Sequence, residues 1–112
     1  MATQSVLVVY DQGSDHVEPS SVRMDAEARY VGLDHRDRDV AMYDVALPGL
    51  AGEFRGIASE CDCRVPITVT LTRVWLRGLP QDERRAAVRW LREQRLMVRE
   101  DGKLMPSYRQ AR

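Results

Sequence analysis

The residues with most chemical promise are six arginines in the segment 84–99. Arg84, Arg85, Arg89, Arg92, Arg95 and Arg99 recur at intervals of one, three or four residues. Guanidinium groups present planar pairs of N–H donors that match phosphate oxygens through bidentate, charge-assisted hydrogen bonds. On a helix advancing about 100° per residue, these arginines share one side, interrupted by Val88, while Ala87, Trp90, Leu91, Met97 and Val98 share another. Arg85, Arg89 and Arg92 line up over two turns. With Lys103 nearby, the expected chemistry is binding to phosphate or another polyanion.

Other reactive groups offer less. Asp34, Asp37 and Asp39, with His35 among them, form the densest acidic cluster, but the spacing matches neither a calcium loop nor a zinc motif. A charged loop without metal is expected there. A metal-dependent hydrolase built on that loop is the enzymatic alternative. Cys61 and Cys63 could supply two thiolates, yet a structural zinc site wants four ligands and only His16 and His35 remain. No Ser or Cys is paired with a base by any motif, and no glycine-rich phosphate loop occurs. No cofactor and no catalytic residue is therefore assigned, and the protein is expected not to be an enzyme.

The arginines need an element to carry them. Asp82 and Glu83 near the start, and arginines gathering towards the end, follow the order that a helix dipole favours, so a long helix is expected from Pro80 or Gln81. Glu100-Asp101-Gly102-Lys103 reads as a two-residue hairpin turn with Glu100 facing Lys103. Upstream, Ile67, Val69 and Leu71 alternate with Thr68, Thr70 and Thr72 as in a half-buried strand. Ile67, Leu71, Val74, Trp75 and Leu79 also obey helical spacing. Two readings stand: a short strand Arg64–Thr68 followed by a helix Val69–Arg77, or a plain strand, turn and helix.

With Gly78 in the turn, then Leu79, Ala87, Val88, Leu91 and Leu96, and Asp101-Gly102 at a hairpin tip, the C-terminal half resembles the winged helix-turn-helix superfamily. It departs from that pattern at Arg77 and Arg84, where apolar residues are usual, and at Arg95, where a glycine commonly ends the second helix. The resemblance implies that the arginine helix enters the major groove of duplex DNA, while Arg99 and Lys103 touch the backbone. Leu50–Glu60, with Leu50, Ala51, Phe54, Ile57 and Ala58 at helical spacing, would be the first of three helices. Gly52 and Gly56 would each cost that helix about 1 kcal/mol against Ala.

The N-terminal part reads as β structure. Ser5–Tyr10 is expected to be a buried strand, and Glu27–Leu33 and Val40–Leu47 two antiparallel strands on which Tyr30 and Tyr43 pack. The expected architecture is α+β in one domain of 112 residues: an acidic, β-rich antiparallel segment, 1–47, packed on a basic winged-helix-like part, 48–112.

Charge follows the same division. The formal net charge is zero, but residues 1–62 hold 12 acidic and 5 basic side chains, and residues 63–112 hold 5 and 12. Such asymmetry points to duplex DNA, or to an acidic or nucleoprotein partner, for the basic half; it also suits attraction between two copies in a homodimer. Two cysteines suggest a reducing compartment, and no apolar run approaches membrane-spanning length. A cytoplasmic protein with no membrane partner is expected. The function expected is a small DNA-binding or regulatory protein; the alternative is a protein-binding module or inhibitor that docks a charged face.

Overall fold

The computed structural model describes residues 3–14, 16–100 and 103–105. Five strands, β1 (Thr3–Asp11), β2 (Ser20–Leu33), β3 (Val40–Ala46), β4 (Phe54–Ser59) and β5 (Ile67–Thr72), form a closed barrel in sequence order. Closure removes the free sheet edges that would otherwise template aggregation. Two helices follow, α1 (Arg73–Gly78) and α2 (Gln81–Glu93), then a two-stranded sheet of β6 (Val98–Glu100) and β7 (Lys103–Met105).

By compactness the chain divides into two units, Met1–Val8 with Arg23–Thr70, and Val9–Val22 with Leu71–Arg112. In the first unit, β2 and β3 pair antiparallel with Tyr30 opposite Tyr43, a bulge intervening between Tyr30 and Gly32. Those two rings meet edge to face, 5.6 Å apart. β3 pairs with β4 from Val40↔Ser59 to Val45↔Phe54, and β4 with β5 at Gly56↔Val69. Val6, Val8, Ala26, Ala41, Val45, Leu47, Ile67 and Val69 supply its buried apolar side chains. Each alternates with a more exposed neighbour, as expected for strands with one face inward.

In the second unit the buried set is Tyr10, Val17, Leu71, Leu76, Ala87, Trp90, Leu91, Leu96 and Met97. α1 begins where Thr72 stops the strand: its backbone is extended and its hydroxyl accepts a hydrogen bond from the Trp75 N–H at 3.1 Å. That N-cap satisfies one of the orphan donors of the first turn. α2 ends in a Schellman motif. The Leu96 N–H donates to the Leu91 carbonyl at 2.8 Å, the Arg95 N–H to that of Arg92 at 3.0 Å, and Arg95 sits at φ 62°.

Several expectations fail against this architecture. The chain is not an N-terminal β segment packed on a winged-helix-like part, and the winged helix-turn-helix resemblance does not hold, because the structure is a closed five-stranded barrel with only two short helices. The missing first helix is the direct cause. In place of a helix over Leu50–Glu60 the chain makes a loop and then β4, with Gly49 at φ 85° and Gly52 at φ 96°, a left-handed backbone that ends any helix before it starts. Val69–Arg77 is not helical throughout either. Strand β5 runs to Thr72 because Gly56↔Val69 and Ile57↔Thr68 hold it in the barrel ladder, and helix begins only at Arg73. α2 stops at Glu93, so Arg95 and Arg99 are not on it.

Other expectations are met. β1 covers the Ser5–Tyr10 run, β2 and β3 cover most of the two expected antiparallel strands, and α2 starts at Gln81. β6 and β7 place Glu100 opposite Lys103 as the hairpin reading requires. The Asp101-Gly102 turn itself lies outside the described residues. No helix among the described residues is long and apolar enough to cross a membrane.

Candidate nucleic-acid interface

α2 is amphipathic in the sense that its sequence suggests. Ala87, Trp90 and Leu91 are buried, whereas Arg84, Arg85, Arg89 and Arg92 are exposed. Burying the apolar stripe fixes the helix about its own axis and thereby directs Arg85, Arg89 and Arg92 to solvent over two turns. None of these three makes an ion pair or a side-chain hydrogen bond among the described residues. Asp82 and Glu83, also exposed, occupy the first turn.

Arg84 differs from its neighbours. Its guanidinium donates to the carbonyl of Arg77 at 3.2 Å and to that of Leu79 at 3.1 Å. These are carbonyls at the C-terminal end of α1, which lack helical partners of their own, so the charge also complements the negative end of a helix dipole. Arg84 thus ties α1 to α2, and its donors are partly committed.

The remaining basic residues of the expected site are spread over different elements. Arg95 is exposed at the Schellman turn, Arg99 lies on β6 opposite Leu104, and Lys103 lies on β7 opposite Glu100. The structure therefore brings together Arg85, Arg89 and Arg92 on α2, and leaves Arg99 and Lys103 on the hairpin.

Two cationic residues were absent from the expected site. Arg73 and Arg77, four residues apart on α1, are both exposed. Val74 between them is 82% exposed, the most exposed large apolar residue of the described chain. Their signal in the sequence was the i, i+4 pair itself, legible only once α1 is known to begin at Arg73. Tyr10 of β1 is 2% exposed. Burial pushes its pKa above the usual phenol value, while the charges of Arg73 and Arg77 pull it back. Both guanidiniums therefore lie within electrostatic reach of the ring.

The acidic loop resolves into local structure. The Asp34 carboxylate accepts from the Arg36 N–H at 2.9 Å and that of Asp37 from the Asp39 N–H at 3.0 Å, the Asx turns that allow so short a connection between β2 and β3. The Glu60 N–H donates to the Asp39 carbonyl at 2.7 Å. Cys61 is exposed, and its thiol faces the influence of the Asp39 carboxylate. Hydrogen bonding to Asp39, with the charges of Asp39, Asp37 and Glu60, raises its pKa. Such a thiol is a poor nucleophile at neutral pH. Among the described residues, no group of three or more His, Cys, Asp or Glu is placed to hold a metal ion.

On β2, β3 and β4, Asp44 joins Arg29 at 2.6 Å and Arg55 at 3.5 Å. These arginines are neutralised across adjacent strands, in contrast to those of α2. Neither family models, nor curated proteins, nor solved structures gave a match to this chain.

Proposed function

We propose that this protein binds nucleic acid, without catalysis, through the guanidinium groups of Arg85, Arg89 and Arg92. The observation that carries the reading is the contrast between arginine sets: Arg29, Arg55 and Arg64 are paired with carboxylates, whereas the three on α2 share one exposed face and have no anionic partner among the described residues. Three like charges at i, i+4 and i+7 repel each other by a few tenths of a kcal/mol per pair, and a polyanion relieves that repulsion. Phosphate contacts of this kind orient a protein on a duplex without reading its sequence.

The test is salt-dependent binding to a random-sequence DNA duplex, for the parent and for the triple variant R85A/R89A/R92A. Each phosphate contact releases counterions, so losing three should reduce the slope of log K against log salt by about 2.7, at roughly 0.9 per contact. Folding should be retained, because exposed substitutions usually stay within about ±0.5 kcal/mol each. An unchanged slope excludes this face.

A second reading, a module that docks on a protein or nucleoprotein partner, is favoured by one observation. Asp82 and Glu83 are exposed in the first turn of α2, where they would repel phosphate. If the parent fails to bind duplex at low salt, that reading displaces the first.

A further inference from the structure

We propose that Tyr30 of β2 and Tyr43 of β3 form a two-walled aromatic corner that receives an alkylammonium group, the lysine side chain of a protein partner. The proposal concerns the first unit alone and does not rest on the arginine row of α2.

The two rings stand on the core side of the sheet without being covered by it. Ala28↔Val45, Arg29↔Asp44 and Tyr30↔Tyr43 are successive pairs, so both tyrosines face the same way as Val45, which is fully buried. Ala26 and Ala41, on that face as well, are also buried. Gly56, opposite Tyr43 on its other side, would direct a Cβ at Val45, Ile67 and Val69. Tyr30 is nevertheless 53% exposed, and Tyr43 is half-buried. The register of β2 shifts just past Tyr30, before Gly32. A bulge bends its strand and re-aims the side chains beside it, which is the local reason why a residue of core register reaches solvent.

The rings meet at 69° with their centroids 5.6 Å apart. Planes at such an angle enclose a corner in which one small group touches both faces. The face of an aromatic ring carries the negative part of its quadrupole, so a cation gains most there. The surroundings have the matching sign. The first unit holds nine acidic side chains against six basic ones, and two of the basic ones, Arg29 and Arg55, are engaged by Asp44. A nucleic-acid strand stacking its bases on the same rings would bring its phosphates into that negative field. A guanidinium is planar and stacks on one ring, whereas a compact ammonium reaches both walls. Two walls also leave the other sides of the ligand open to water, while a site for a free small molecule encloses most of its ligand. The corner therefore suits a cation tethered to a partner chain that has further contacts to hold it. Val31, the unpaired residue of the bulge, is 36% exposed and offers apolar surface to the methylenes of a lysine stem.

The test follows the tyrosine ring signals of the full chain by NMR during titration with four probes. These are Nα-acetyl-lysinamide, its Nε-trimethyl form, an uncharged isostere carrying a tert-butyl group in place of the trimethylammonium, and a thymidine oligonucleotide. Both cationic probes should move the Tyr30 and Tyr43 signals, and the uncharged isostere should bind roughly 2- to 30-fold more weakly than the trimethyl form, the range a cation–π contact spans between exposed and desolvated sites. Y30L, which keeps apolar bulk and removes the ring, should lose the preference for the charged probe, while Y30F and Y43F should keep it. Thermal melting of each variant establishes that it is folded, and the comparison of charged and uncharged probes on the parent decides the matter even if Y30L is not. Equal binding of the isostere would overturn the proposal, because apolar contact alone would then suffice. A folded Y30L that discriminates as the parent does would overturn it as well. Signals that move with the oligonucleotide and not with the lysine probes would replace the ammonium by a stacked base, and signals that no probe moves would refute the site; neither result bears on the α2 reading, which the salt slope tests.

Discussion

Replacing Gly56 by Ala puts one methyl group where the first unit has no room for it. A Cβ there would lie 2.6 Å from Cγ2 of Ile67, 2.9 Å from Cγ2 of Val45 and 3.4 Å from Cγ2 of Val69. Carbon atoms prefer separations of about 3.5–4.0 Å, so two of these contacts must open by roughly 0.6–1.4 Å. The obstructing atoms belong to β-branched side chains, whose χ1 angles are stiff, and Gly56 is held in register with Tyr43 on one side and Val69 on the other. Neither side chain nor backbone can retreat cheaply. Overpacking of this kind costs about 1–3 kcal/mol, against a gain of about 0.4–1 kcal/mol from a less flexible unfolded chain. A net loss of about 1–2 kcal/mol is expected.

The sign of that change discriminates between architectures. Were residues 50–60 a helix, the same substitution would stabilise by about 1 kcal/mol. Urea unfolding of parent and G56A, compared at equal m values, measures the difference. Val45→Ala should cost less in the G56A background than in the parent, because the new methyl occupies part of the space that it vacates. A G56A variant as stable as the parent, or more so, would refute the barrel packing around this position.

Three further outcomes are expected. Arg95→Gly should raise stability by about 0.5–1 kcal/mol, since φ 62° is strained for arginine and free for glycine; a lowered melting temperature would contradict the Schellman geometry. Tyr10 has its folded pKa raised above the ordinary 10.0, so its contribution to stability is complete below that pH and is lost as pH rises towards the folded value; Tyr10→Phe should lack this alkaline loss, and parallel stability curves above pH 10.0 would count against the burial assigned to it. Asp39→Ala removes both the acceptor and the main charge that raise the Cys61 pKa, so Cys61 should be alkylated faster at neutral pH; an unchanged rate would show that Asp39 does not act on the thiol.

Local patterning in the sequence determined the elements whose signals are contained within a few residues. The Ser5–Tyr10 run became β1, the alternating stretches around Tyr30 and Tyr43 became β2 and β3, and the apolar stripe of Ala87, Trp90 and Leu91 set which side of α2 its arginines occupy. The hairpin register of Glu100 with Lys103 was likewise legible from the turn residues between them. What tertiary structure decided were the cases in which one segment fits two periods. Leu50, Ala51, Phe54, Ile57 and Ala58 satisfy a helix, yet pairing with β3 on one side and β5 on the other makes Phe54–Ser59 a strand, with Gly56 buried and Ile57 half exposed. Ile67–Leu79 satisfies both strand and helix. The ladder from β4 holds it as strand, and the Thr72 hydroxyl switches it to helix at Arg73. Closing a barrel compensates backbone hydrogen bonds between residues far apart in the chain, a gain that no local window contains. For the same reason the arginine row of α2 could be read in advance, whereas the influence of the Arg73 and Arg77 charges on the buried Tyr10 phenol, more than sixty positions away, exists only because the chain folds.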